Sequence, residues 1–239
     1  MNITKEIIKN LLIESLIAKF EYKISKANIN IEKAKEGFFA HIEILSKFLH
    51  EYYNTKNILE IGLFKDFHKL FYPSNFKILV SRTGVLYENL PGEWRKHEYN
   101  PQIKTKKFTK YPENIENDFI KIIDDYNSLT NKKETDVLKL FFDFLNIHPF
   151  GDSNLNIISI IIDLELLKYG FISLNILKIR FKDRQFMYFF EDYYRKNIEK
   201  ESVLDEVLSM IRDFNNGTLS NEIMEAKNKQ EIYSTNKLL

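Results

Sequence analysis

Cysteine is absent, which excludes disulfide bridges and thiolate metal sites and fits a cytosolic protein. Net charge is nearly absent too: 35 basic against 34 acidic side chains leave a formal +1, with both signs spread along the chain. A general nucleic-acid binder would be clearly basic, so that class is set aside. No apolar run at the N-terminus is free of charge. MNITKEIIKNLLIESLIAKFEYK carries Lys5, Lys9 and Glu14 inside its apolar pattern and has no cleavage-site signature, which excludes a signal peptide or a membrane span there. Proline is scarce, and four of its five copies (Pro73, Pro91, Pro101, Pro112) fall between residues 72 and 112. That density excludes a long helix in this stretch and favours short strands and turns.

What remains is rich in apolar residues. An apolar content of 44%, with 14% aromatic, is enough for a sizeable core, and 239 residues suit one large domain or a domain with a helical extension. Ile7, Ile8, Leu11, Leu12, Leu16, Ile17 and Phe20 recur at helical spacing and predict a helix over about 4–21. A second runs over about 31–53, with Ala34, Phe38, Phe39, Ile42, Leu45, Phe48 and Leu49 inward, and a third over about 57–71. Residues 76–88 suit one short strand, and 97–110, with Lys104, Lys106, Lys107 and Lys110, a small hairpin. Helix resumes at Pro112 with Ile115, Phe119, Ile122, Ile123 and Tyr126 on one face, and again over about 133–146. Further helices are expected after Ser173, around Phe186–Tyr194 and over Ser202–Phe214, before a polar tail.

The stretch that organises the rest is His148-Pro149-Phe150-Gly151-Asp152-Ser153-Asn154 and the helix it opens. NLNIISIIIDLELLKY, residues 154–169, is apolar almost all round, which predicts a buried helix, and Gly170 fits its left-handed end. Pro149 disfavours continuing the preceding helix, and Asp152 or Ser153 can cap the new one. Unpaired N–H groups and the positive end of the helix dipole converge here, a natural place for an anion.

The run His148 to Asn156 resembles the signature of the Fic (filamentation induced by cAMP) family, H-P-F-x-[DE]-G-N-G-R-x-x-R. Phe67-His68-Lys69-Leu70-Phe71 and Pro91-Gly92-Glu93-Trp94-Arg95 are similar to family segments upstream, and Lys168-Tyr169-Gly170-Phe171 and the aromatic stretch around Tyr188 are similar to later ones. The resemblance covers about residues 57–200. It implies a mainly α fold: a Fic-like helical bundle with a small β-hairpin flap over 57–215, an N-terminal helical extension over 1–56 and a tail over 216–239. It also implies an enzyme that moves AMP, or a related phosphate-containing group, from a nucleotide such as ATP to a hydroxyl of a target protein. His148 would be the catalytic base, since a neutral imidazole suits taking a hydroxyl proton near neutrality. Asp152 would hold Mg²⁺ bridging the donor's phosphates. Ser153, Asn154, Leu155 and Asn156 would line the phosphate site. The implied partners are a target protein and a nucleotide, with no nucleic acid and no membrane; the apolar N-terminal helices offer a face to a second copy. Location would be the bacterial cytoplasm, or outside it by export without a classical signal peptide.

The chain departs from the signature at four positions: Ser153 and Leu155 replace its glycines, and Asn156 and Ser159 its arginines. Glycines permit close backbone approach to phosphate, which the branched side chain of Leu155 opposes. Asn156 removes a guanidinium that would grip terminal phosphates, a loss on the order of 1.5–3 kcal/mol. A second reading follows: a catalytically inactive Fic-like fold kept as a protein-interaction module. The plain alternatives are a helix-connecting turn for His148, an N-cap for Asp152 and a first-turn polar residue for Asn154. His41, His50, His68 and His97 show no paired ligand spacing and read as structural or surface residues. Asn28–Lys33 and Thr218–Ile223 are loose matches to the family's inhibitory-helix motif and are read as chance.

Overall fold

The computed structural model describes residues 3–26, 30–72, 77–82, 85–96, 112–171, 173 and 200–215. The chain divides into two units, Met1–Leu177 and Lys178–Leu239. The described residues are mainly α-helical. None of their helices is long and apolar enough to cross a membrane.

In the first unit α1 (Lys5–Lys26) packs on α2 (Ile31–Thr55). Ile8, Leu11, Leu12 and Leu16 lie buried at helical spacing on α1, and Ile42, Leu45 and Leu49 on α2. Phe20 stacks on Phe38 with ring centroids 4.3 Å apart. Phe38, Phe39 and Phe48, expected inward, are only half-buried. Asn30 caps α2 by accepting the Lys33 N–H at 3.1 Å.

α3 (Ile61–Leu70) starts four residues later than the periodicity predicts. The Asn127 side chain explains the delay: its amide accepts the Leu59 N–H at 3.1 Å and donates to the Leu59 carbonyl at 2.8 Å. Both backbone groups of Leu59 are thereby taken, and the approach to α3 stays non-helical. The stretch expected to give one strand instead gives two, β1 (Ile78–Arg82) and β2 (Val85–Asn89). They pair antiparallel from Ile78 opposite Asn89 to Arg82 opposite Val85. The hairpin expected at 97–110, the helices expected after Ser173 and around Phe186–Tyr194, and the polar tail lie outside the described residues.

A 3₁₀ turn (Pro112–Asn114) leads into α4 (Ile115–Ser128), which buries Ile115, Phe119, Ile123 and Tyr126. α5 (Glu134–Ile147) and α6 (Asn154–Lys168) pack together at the centre. Nearly every α6 residue from Asn154 to Leu166 is buried, and α1 and α3 also pack on this helix. Gly170 takes φ +81° beyond its end, and the Phe171 N–H returns to the Leu166 carbonyl at 2.9 Å. Phe64, Phe119 and Phe144 bind α3, α4 and α5 into one aromatic core, with centroids 4.8–5.5 Å apart. Each buried ring contributes about 1.5–3 kcal/mol of transfer free energy. The second unit is described by α7 (Lys200–Asn215), where Leu204, Val207 and Leu208 are buried at helical spacing.

Candidate active site

The turn from His148 to Ser153 joins the two central helices and carries backbone strain at both ends. His148 ends α5 in the left-handed region (φ 50°, ψ 61°), with its N–H donating to the Phe144 carbonyl at 2.8 Å. Ser153 opens α6 at φ 59°, ψ 9°. Left-handed conformations at non-glycine residues cost on the order of 1–3 kcal/mol each, so the surroundings must over-determine them. Four side chains do so.

Arg95, 1% exposed, donates from Nε to the His148 carbonyl at 2.9 Å and from its guanidinium to the Ile147 carbonyl at 3.2 Å. Its backbone N–H donates to the Pro149 carbonyl at 2.7 Å. A cation is thus placed where the carbonyls of α5 emerge, the favoured end of the helix dipole for positive charge. Asn154 closes the turn from the other side. Its Oδ1 accepts the Phe150 N–H at 2.9 Å, and its Nδ2 donates to the Phe150 carbonyl at 2.8 Å.

His68 on α3 stacks on Phe150 with centroids 4.0 Å apart. Its Nδ1 accepts the Gly92 N–H at 2.8 Å, so the ring proton sits on Nε2 and donates to the Asp152 carbonyl at 3.2 Å. Burial lowers its pKa to about 4, against weaker upward pulls from Asp152, which holds the ring neutral. The fourth side chain, Tyr72, places its hydroxyl 3.2 Å from Asp152 Oδ2 and 2.8 Å from Ser153 Oγ. Burial first and the Asp152 charge second push its phenol upward.

Gly151 is required by close approach rather than by φ. A Cβ there would stand 3.0 Å from Nδ2 of Asn89, a fully buried residue whose Oδ1 accepts the Lys96 N–H at 2.9 Å. Trp94 covers Phe150 with centroids 5.3 Å apart, and its indole N–H donates to Glu116 at 3.0 Å.

The predicted site residues therefore lie in this turn and in the first turn of α6, and differ in access. The Asp152 carboxylate is exposed, Ser153 and Asn156 are half-buried, and His148 is 7% exposed. Leu155 is buried, and the Asn154 amide is engaged at both ends by the loop it belongs to. Neither Asp152 nor Ser153 caps α6 with its side chain, contrary to expectation. A left-handed Ser153 whose hydroxyl goes to Tyr72 is the reason. Asp152 offers one hard oxygen ligand, and among the described residues no group of three His, Cys, Asp or Glu could hold a metal ion. A single carboxylate suits a divalent cation that takes phosphate oxygens as its other ligands, as Mg²⁺ is usually bound. Tyr72, Asn89 and the bracing roles of His68 and Arg95 were missed in the sequence. A hint was present, since His68 and Tyr72 stand four residues apart, one in the last turn of α3 and one just beyond it. Comparison of the chain with protein-family models, curated proteins and solved structures finds no match.

Proposed function

We propose that this turn is the active site of a Fic-like transferase that moves a nucleotide-derived phosphoryl group, such as AMP, onto a protein hydroxyl. The observation that supports it most is the braced strain. Two left-handed non-glycine residues are held by Arg95, His68, Asn154 and Tyr72, and strain maintained in this way concentrates at functional sites. The turn presents an exposed carboxylate beside the start of α6, whose first N–H groups receive no side-chain cap.

In this reading the target hydroxyl oxygen attacks the donor's phosphorus. A new P–O bond forms, the anhydride bond breaks, the hydroxyl proton passes to the His148 imidazole, and pyrophosphate leaves when ATP is the donor. Asp152 would hold a Mg²⁺ ion that neutralises charge on the donor's phosphates. The uncapped N–H groups of α6 take the transferred phosphoryl oxygens, and Asn154 keeps the turn in the shape that aims them. Incubating the protein with candidate targets and α-labelled ATP tests this: wild type transfers label, and His148→Ala does not. Equal transfer by both would remove His148 from the chemistry.

The inactive interaction module is the second reading, and its own observation is Leu155. That side chain is buried where the resemblance implies a glycine, and Asn156 supplies no guanidinium beside it. Label transfer that needs Mg²⁺ would remove this reading.

A further inference from the structure

The Tyr72 hydroxyl meets two candidate-site residues at once, and counting protons fixes the direction of the chain. An ionised carboxylate can only accept, so the single phenolic proton goes to Asp152 Oδ2 (3.2 Å), and the 2.8 Å contact is a bond donated by Ser153 Oγ. The order is Ser153 to Tyr72 to Asp152.

We infer that Tyr72 is the positioning residue of this site, orienting Asp152 as a cation ligand and holding the Ser153 hydroxyl away from the start of α6. The inference rests on the transferase reading and adds to it a residue that touches neither donor nor target. Tying Oδ2 to the phenol fixes the rotation of the carboxylate and leaves Oδ1 to face a cation. Carboxylate ligands to metals are themselves commonly hydrogen-bonded in this way. Drawing the Ser153 proton to Tyr72 leaves the first-turn N–H groups of α6 uncapped, so an anion does not have to displace a serine. Tyr72 is held for the task. Its ring lies 5.3 Å from that of His68, one turn earlier, and His68 fixes the Asp152 backbone while Tyr72 fixes its side chain.

Tyr72→Phe keeps the ring and removes only the hydroxyl, and its unliganded melting temperature reports that it folds. With ATP as the donor probe, the Mg²⁺ concentration giving half of the ATP-dependent thermal stabilisation rises about 10–100-fold in the variant. A second readout needs no donor: the Ile157 amide, bonded to the Ser153 carbonyl at 3.0 Å, exchanges with solvent roughly 10-fold faster in the variant. Exchange at Ile161, further along α6, does not change. An unaltered Mg²⁺ midpoint overturns the inference. If neither ATP nor GTP, CTP, UTP or CDP-choline stabilises the wild type with Mg²⁺, the transferase reading fails instead and Ile157 decides alone: faster exchange sustains Tyr72 as the brace, and unchanged exchange overturns it.

Discussion

At the scale of single residues, the turn depends on polar side chains whose partners are backbone groups. Asn154→Ala leaves the buried Phe150 N–H and carbonyl without their partner, at about 1–3 kcal/mol for each orphaned group. A fall in the urea midpoint with an unchanged m-value is expected; Asn154→Ala unfolding like wild type would show that the clamp is not made. Gly151→Ala drives a methyl against Asn89 and is expected to cost about 1–3 kcal/mol through overpacking. Combining it with Asn89→Ala should recover part of that loss. Additive losses in the double-mutant cycle would contradict the contact.

At the scale of elements, the end of α3 and the turn are joined by a histidine that must stay neutral. Protonated His68 would present N–H at both nitrogens, and its Nδ1 could no longer accept from Gly92. Its folded pKa, about 4, lies below the ordinary 6.5, so the unfolded chain binds more protons between these values. Stability from this group is complete above pH 6.5 and is lost as pH falls towards 4, about 3 kcal/mol in all. Urea unfolding of wild type and His68→Phe across that window should show the wild type losing more; parallel profiles would contradict the assignment. The elements also mark what could be read without the structure. α5 and α6 were legible because long apolar stretches can only be buried. The start of α3 and the uncapped start of α6 were not, because Asn127 and Tyr72 act on them across 68 and 81 residues. The candidate residues stand out in the sequence because they are contiguous, while Arg95, Tyr72 and His68, which brace them, lie 53 to 84 residues away.

At the scale of the whole molecule, α6 carries a polar centre at each end. Opposite the turn, buried Glu165 accepts the Tyr126 hydroxyl at 2.8 Å and lies 3.6 Å from the Lys168 ammonium, which donates to the Asn57 carbonyl. Burial raises the Glu165 carboxyl above its usual range, with Lys168 and Tyr126 opposing. A raised acid contributes stability below its unfolded pKa, near 4.5, and loses it as pH rises through the folded value. Glu165→Gln is therefore expected to become more stable relative to wild type as pH rises from 4.5, and a constant difference would contradict this. At the other end of the helix lies the strained turn, which we propose is held ready for a phosphate donor. The most direct measurement of this is thermal unfolding of wild type and Asp152→Ala against ATP, GTP, CTP, UTP and CDP-choline, with and without Mg²⁺. A donor at ~100-fold over its Kd adds about 2.7 kcal/mol. Such a shift is expected with one donor class and requires both Mg²⁺ and Asp152; no shift with any donor, or one that survives Asp152→Ala, would contradict the transferase reading.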